Sequence, residues 1–142
     1  GSDAASSSAK LEGITLRLIS SQPRSELTRE LSRALSATGL ILLEEGDATL
    51  TLVLQPEQFT QRNVSLTAQA RAAELELTLF TDFTLNQPES DPIEARATVI
   101  RQMLNDPRNV VGKTEEMRLL REEMRRDLAD QIARRVSHSL GS

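Results

Sequence analysis

The sequence predicts an α+β domain in which a four-stranded mixed sheet, with its elements in the order β-α-β-β-β-α, carries two helices packed on one face. Four segments alternate apolar and polar residues, which is the pattern of a strand with one buried face. Two further segments repeat their apolar residues at the spacing of an amphipathic helix. Every element therefore has one apolar side, and packing both helices against one face of a single sheet is the simplest way to bury all of them.

The two ends of the chain are predicted to lie outside the folded domain. Residues 1–10 are rich in serine and alanine, so we expect a disordered tether. The Gly-Ser pairs at both ends are typical of residues left by a cloning vector. Residues 11–140 are predicted to form one domain, because 142 residues suit a single core. Residues 141–142 are expected to be a short tail.

The first half of the domain is predicted to be a strand, a helix and a second strand. Apolar residues alternate with more polar ones from Ile14 to Ser20, which predicts the first strand. Ser25 is a favourable N-cap and Gly39 a favourable terminator for the first helix, and a short apolar run at 40–43 follows it. The second strand carries three alternating leucines: Leu50, Leu52 and Leu54. We expect this β-α-β unit to be parallel and right-handed.

The second half of the sheet is predicted to be an antiparallel hairpin. The polar stretch after Pro56 is expected to extend the second strand as a twisted arm. Regular alternation from Leu75 to Leu85 predicts the third strand, and alternation from Ile93 to Ile100 predicts the fourth, with a turn at 86–92 between them. The face away from the helices is expected to be open and mostly polar. Its expected members are Thr49, Thr51, Glu74, Glu76, Thr78, Phe80, Glu94, Arg96, Thr98 and Ile100.

A long helix is predicted at the end of the chain, from Thr114 to Leu140, after a loop at 105–112. Thr114 is the expected N-cap, and two glutamates follow it in the first turn. At 1.5 Å per residue this helix would be about 40 Å long. Its apolar stripe drifts gradually around the helix axis and comprises Met117, Leu120, Met124, Leu128, Ile132, Val136 and Leu140.

The composition excludes several classes of function. The chain has no cysteine and one histidine, which leaves no disulfide, no thiolate nucleophile and no histidine-rich metal site. Aromatic residues make up 2% of it, too few for a protein that stacks the bases of single-stranded nucleic acid. There is no glycine-rich phosphate loop and no nucleophile with a partner base. We therefore predict no catalytic residue, no cofactor, no metal site and no enzymatic activity.

Four basic residues are the candidate ligand-binding positions. Arg62 and Arg71 flank the tip between the second and third strands, and Arg108 and Lys113 lie in or beside the loop before the last helix. A single exposed cation is usually an ordinary solvated charge. If the two loops converge in space, however, the four cations would suit a phosphate-bearing ligand, because arginine and lysine pair strongly with phosphate oxygens.

The C-terminal third carries a recognisable block of sequence. The segment Asp106-Pro107-Arg108-Asn109-Val110-Val111-Gly112-Lys113 is followed by Glu115-Glu116 and then by MRRDLADQIARR at 124–135. This block resembles the LPS-assembly lipoprotein family, LptE, also called RlpB. The strand at 14–20, the helix closed by Gly39 and the strand start Ala73-Glu74-Leu75 occur in that family's order.

The resemblance implies a non-enzymatic role in lipopolysaccharide transport. Members of the family lie on the periplasmic side of the outer membrane, anchored through a lipidated N-terminal cysteine that this chain does not contain. They plug the lumen of a large β-barrel, LptD, and bind lipopolysaccharide during assembly of the Gram-negative envelope; nucleic acid is not among their partners. The family's basic residue before the last helix matches Lys113, and Arg71 is the nearest match to the one at the hairpin tip.

A function of a different class is the alternative. The same order of elements would suit a soluble α+β adaptor or a nucleic-acid-binding domain. Such a domain would show salt-sensitive binding to RNA or DNA. The net charge of −4 and the three phenylalanines weigh against it.

Overall fold

The computed structural model describes residues 11–66 and 73–141, which contain six strands and two helices. In chain order these are β1 (Thr15–Ser20), α1 (Glu26–Ala37), β2 (Ile41–Leu43), β3 (Leu50–Leu54), β4 (Gln58–Leu66), β5 (Ala73–Asn86), β6 (Ile93–Asn105) and α2 (Val110–Gly141). The α+β class is confirmed, but the predicted count of four strands is wrong. The expected tether at 1–10 lies outside the described residues.

The two additional strands lack the apolar alternation that marks the other four. β2 has only three residues and is held at the sheet edge by parallel pairing with β1. β4 carries mostly polar residues on both faces and pairs antiparallel with the first half of β5. Backbone hydrogen bonds to a neighbouring strand hold both of them, while their side chains bury little surface. The period of apolar residues therefore cannot reveal them, and the true order is β-α-β-β-β-β-β-α.

From one side of the sheet the strands follow in the order β2-β1-β3-β5. β4 also pairs with β5, on the same edge as β3, and β6 pairs with the opposite edge of β5. β1 is parallel to β2 and β3, and every pairing that involves β5 is antiparallel. The predicted parallel pairing in the β-α-β unit and the antiparallel remainder are thus confirmed. β3 and β4 follow each other along one edge of β5, as expected for an arm that extends the second strand.

A short break at 55–57 separates β3 from β4, and Thr81 stabilises it. Thr81 is the polar member of the otherwise apolar stripe on β5 and is almost completely buried. Its hydroxyl donates to the Gln55 carbonyl over 2.7 Å, and the Gln55 N–H donates to the Asp82 carbonyl over 3.0 Å. The polar groups of the break therefore remain paired inside the sheet, as buried polar groups require.

The core lies between one face of the sheet and the two helices. Alternating leucines of β3 and β5 are buried on that face, and the residues expected on the other face are exposed or half-buried. Arg135 of α2 is exposed. The placement of both helices on one face is thus confirmed. The buried residues of α2 are Met124, Leu128, Ala129, Ile132, Ala133 and Val136.

The ends of α1 are as predicted, but α2 begins earlier than predicted. The Thr28 N–H donates to the Ser25 hydroxyl over 3.1 Å, so Ser25 caps α1, and Gly39 follows α1 with a φ of 101°. α2 begins at Val110 because the side chain of Asn109 caps it. Thr114 is therefore not the N-cap. It lies inside α2, and its hydroxyl donates to the Val110 carbonyl over 3.0 Å.

Candidate ligand-binding site

The two loops that carry the basic residues start from neighbouring strand ends. Leu66, the last residue of β4, pairs with Ala73, the first residue of β5, and Ala73 pairs in turn with Asn105, the last residue of β6. Since neighbouring strands lie about 4.8 Å apart, the ends of β4 and β6 are separated by roughly 10 Å. We call this part of the molecule the loop end; it comprises these three strand ends, the turn at 106–109 and the first turn of α2.

The turn between β6 and α2 is organised by Asp106. Its carboxylate accepts from the Arg108 N–H over 2.9 Å, and from the Arg108 guanidinium at Nε over 3.1 Å and at the terminal nitrogen over 3.0 Å. These hydrogen bonds from Arg108 lower the pKa of Asp106, and the carboxylate raises the pKa of Arg108 in return. Arg108 is exposed at the loop end, but its charge is already paired.

Lys113 differs from Arg108 in having no carboxylate partner among the residues that the structure describes. The sequence places it beside a loop, whereas the structure places it in the first turn of α2, where its N–H donates to the Asn109 carbonyl over 3.0 Å. Within residues 11–66 and 73–141 its side chain forms no ion pair. Its ammonium is therefore the cation of the loop end that can accept an anionic partner without breaking an existing contact.

Asn109 and Gly112 form the cap that sets where Lys113 lies. The side-chain oxygen of Asn109 accepts from the Gly112 N–H over 3.0 Å. A Cβ at position 112 would lie 2.4 Å from the Asn109 side-chain nitrogen, well inside van der Waals contact. An alanine here would push the Asn109 side chain out of its capping position, which accounts for a helix-disfavouring residue in the first turn.

This cap predicts a coupling between the two residues. Asn109→Ala should lower the free energy of unfolding by about 1 kcal/mol, the usual cost of losing a side-chain cap. Gly112→Ala should change it little, because the gain of about 1 kcal/mol in helix propensity is offset by the displaced cap. In the Asn109→Ala background, Gly112→Ala should stabilise by about 1 kcal/mol. Urea denaturation of the four proteins measures this; additive effects would contradict the coupling.

Of the other two candidate cations, Arg62 is described and Arg71 is not. Arg62 lies on β4 opposite Glu76 of β5, and its Nε donates to the Glu76 carboxylate over 2.9 Å. This pair lies on the open face of the sheet, close to the loop end. The Arg62 guanidinium is therefore already in an ion pair, as the Arg108 guanidinium is with Asp106. Arg71 lies in the segment at 67–72, outside the described residues.

Exposed aliphatic residues are a feature of the loop end that sequence reasoning missed. Val111 is 82% exposed, Val110 66% and Leu104 63%. The signal was visible as two adjacent valines in a stretch taken for a loop. Because α2 starts at Val110, both valines lie on the exposed surface of a helix, which the sequence pattern did not indicate.

A second missed feature is an ion network that fixes α2 to the break in the sheet. Glu57, in the break, accepts from Arg125 over 2.7 and 2.9 Å and from Arg121 over 3.0 and 3.2 Å. Arg125 also donates to Glu26 at the start of α1. The Arg121 guanidinium lies 4.5 Å from the centre of the Phe59 ring. The network therefore joins both helices to the break in the sheet.

The described part of the chain has neither a metal-binding cluster nor a membrane-spanning helix. It contains no cluster of three or more histidine, aspartate or glutamate residues with the geometry to hold a metal ion. None of the helices in that part is both long and apolar enough to cross a bilayer.

Comparison with known families gives one clear match. Residues 12–136 match the family described as "LptE: Lipopolysaccharide-assembly". An LPS-assembly lipoprotein LptE from Photorhabdus laumondii is 27% identical over 122 residues, which are 85% of this chain and 67% of that protein. Another LptE, from Pectobacterium atrosepticum, is 28% identical over 131 residues, or 90% of this chain and 71% of that protein.

Solved structures show the same fold. The crystal structure of rare lipoprotein B from Shewanella oneidensis superposes with a TM-score of 0.80 and 29% sequence identity, covering 88% of this chain and 95% of that one. A minor lipoprotein from Acinetobacter baumannii superposes with a TM-score of 0.68 at 20% identity, covering 88% of this chain and 93% of that one. The second likeness concerns the fold alone.

Proposed function

Because the chain belongs to the LptE family, the non-enzymatic lipoproteins that work with LptD in assembling lipopolysaccharide in the outer membrane, we propose that it binds lipopolysaccharide at the loop end and plugs an LptD-type β-barrel. Membership of this family argues against the alternative function, that of a soluble adaptor or a nucleic-acid-binding domain. We also propose that the full-length protein is anchored on the periplasmic side through a lipidated cysteine, a residue that these 142 do not contain.

The ammonium of Lys113, which has no ion pair in the described part of the chain, is the observation that supports the loop end as the lipopolysaccharide site. Lipopolysaccharide carries phosphate groups, and a lysine without a carboxylate partner can pair with one at no cost in existing contacts. Arg62 and Arg108 lie at or near the same end, but Glu76 and Asp106 already hold their charges. We therefore assign the main contact to Lys113 and supporting contacts to Arg62, Arg71 and Arg108.

The open face of the sheet supports the proposed place inside a barrel. Its charges are largely paired across strands, as in the bidentate contact of Arg96 with Asp82 at 2.7 and 3.1 Å. The same guanidinium lies 4.5 Å from the centre of the Phe80 ring. Paired charges and hydroxyls can face a polar lumen wall without burying an unpaired ion.

Lys113→Glu should weaken binding of lipopolysaccharide about tenfold or more, because a charge-assisted contact worth about 2 kcal/mol becomes a repulsion. The thermal midpoint should stay unchanged, since the Lys113 side chain has no ion pair to lose within the described residues. Arg24→Glu is the matched control: this exposed arginine lies between β1 and α1, and the charge change is the same. Equal binding by Lys113→Glu and Arg24→Glu, measured by titration with lipopolysaccharide at fixed salt, would remove the assignment of Lys113.

Co-purification tests the proposed barrel partner separately. The full-length protein should be recovered in a stable complex with an LptD-type barrel after extraction from outer membranes in mild detergent. Lys113→Glu should be recovered equally well, because a lipid contact at the loop end is not a contact with the barrel wall. Recovery of the wild-type protein without any barrel would contradict the plug.

A further inference from the structure

The three most exposed aliphatic side chains of the described residues flank the turn where β6 passes into α2. Val111, Val110 and Leu104 are 82%, 66% and 63% exposed, and they lie within eight residues of one another. We call these three residues the junction patch. Exposed single aliphatic residues are ordinary, but a cluster of them on a soluble surface usually marks a binding surface.

The geometry of the turn keeps the junction patch and Lys113 together. The Asn109 N–H donates to the Asp106 carbonyl over 3.0 Å, which closes the turn between Leu104 and the helix. Val110 and Lys113 are three residues apart on α2, and residues at that spacing are neighbours on a helix surface. Exposed Val110 therefore lies beside Lys113, which has no ion pair among the described residues.

The chemistry of this surface selects the kind of ligand. A polar barrel wall would leave the aliphatic side chains of the junction patch without apolar partners. A soluble phosphate compound would use Lys113 and leave the valines in water. An amphiphile whose phosphate group adjoins hydrocarbon chains satisfies both parts of the surface at once, because apolar contact and ion pairing are complementary to its two halves.

We propose that the junction patch binds the fatty acyl chains of lipopolysaccharide while Lys113 pairs with the adjoining phosphate. This inference rests on the proposed function and names the part of the ligand that each side contacts. The loop end then acts on the apolar part of the lipid as well as on its charge, and it shields the acyl chains next to the headgroup from water.

The test replaces the aliphatic side chains by threonine in the triple variant Leu104→Thr, Val110→Thr and Val111→Thr. Threonine has nearly the volume of valine, and these side chains are exposed, so the fold should be kept; Val111→Thr alone serves if the triple variant is unstable. The matched control is Ile41→Thr on the edge strand β2, where the isoleucine is 48% exposed and lies outside the patch. The two probes are intact lipopolysaccharide and the same lipopolysaccharide after complete chemical deacylation.

The wild-type chain should bind the intact form about tenfold or more tightly than the deacylated form, and the triple variant should lose most of that preference. Its affinity for the deacylated form should equal that of the wild type, while Ile41→Thr should bind both probes normally. Unchanged binding of intact lipopolysaccharide by the triple variant would overturn the inference but leave the role of Lys113 intact. Failure of the wild type to bind either probe would instead overturn the proposed function.

A third measurement separates a lipid contact from a protein contact. The triple variant should still co-purify with an LptD-type barrel in the full-length protein. Loss of the barrel with intact lipopolysaccharide binding would show that the junction patch contacts protein, and this result would also overturn the inference.

Discussion

Glu57→Gln should lower the free energy of unfolding by about 3 kcal/mol, which is the usual cost of removing one partner from a largely buried ion network. Only 12% of the Glu57 side chain and 12% of the Arg125 side chain are exposed. After the substitution Arg125 keeps Glu26, but Arg121 has no carboxylate in reach among the described residues. The two guanidinium groups would then be partly buried without full compensation, which explains the size of the effect.

Glu30→Gln is the matched control for this substitution. It removes the same charge from an ion pair on the surface of α1, where Arg33 lies 3.3 Å away and its side chain is largely exposed. Exposed pairs of this kind contribute about 0.5 kcal/mol or less. Chemical denaturation of both variants measures the difference, and equal small losses would show that the Glu57 network does not stabilise the fold.

The same network predicts a pH dependence. Burial by itself would raise the pKa of Glu57, but the hydrogen bonds and charges of Arg125 and Arg121 outweigh it and bring this pKa below its ordinary 4.5. A carboxylate with a lowered folded-state pKa stabilises the protein above its unfolded pKa, and this contribution is lost as the pH falls through the folded value. The stability gap between wild type and Glu57→Gln should be constant near neutral pH and shrink below 4.5. A gap that widens on acidification would contradict the network.

Leu128→Ala should cost about 3 kcal/mol of stability, because it leaves a cavity in the middle of the core. Leu128 is fully buried on the stripe of α2 that packs against the sheet, between Met124 and Ile132. The surrounding residues come from different elements, so they cannot collapse into the space without moving a helix or a strand. Thermal and urea denaturation should show the loss with an unchanged urea dependence, since the unfolded surface is nearly the same.

Leu119→Ala on the same helix is the comparison for Leu128→Ala. Leu119 is 51% exposed, so its truncation should change stability by no more than about 0.5 kcal/mol. The two substitutions remove the same atoms from the same helix, and burial is what differs. A loss below about 1 kcal/mol for Leu128→Ala would mean that α2 does not pack on the sheet as described.

Local sequence patterns correctly predicted the elements whose burial is periodic. The alternating leucines of β3 and β5 predicted which face of the sheet is buried, and Ser25 and Gly39 predicted both ends of α1. The apolar stripe on α2 predicted four residues that are buried: Met124, Leu128, Ile132 and Val136. Each of these signals works because residues close in sequence share one environment, so the period of the pattern reports the buried side.

The same patterns failed where another part of the chain supplies the partner. β2 and β4 exist because β1 and β5 offer backbone groups to pair with, and neither strand needs an apolar stripe for that. The start of α2 was placed four residues late because Thr114 looked like a cap, whereas Asn109 and Gly112 cap the helix together. A cap that depends on the absence of one Cβ cannot be recognised from the capping residue alone.

For the candidate site, too, some features could be predicted from the sequence and others depend on the tertiary structure. By itself the sequence determined that this chain has no cysteine and no catalytic set, that its basic residues cluster in two segments, and that its last third resembles one family. The tertiary structure alone decided that those two segments start from adjacent strand ends, that Arg62 pairs with Glu76 across the sheet, and that Lys113 has no ion pair among the described residues while two valines lie on the helix surface near it. The pairing of Arg108 with Asp106 is local, since these residues are two positions apart. Charge and composition are local properties of a chain, but pairing and exposure depend on residues brought close by folding, such as Glu57 and Arg125, which lie 68 positions apart.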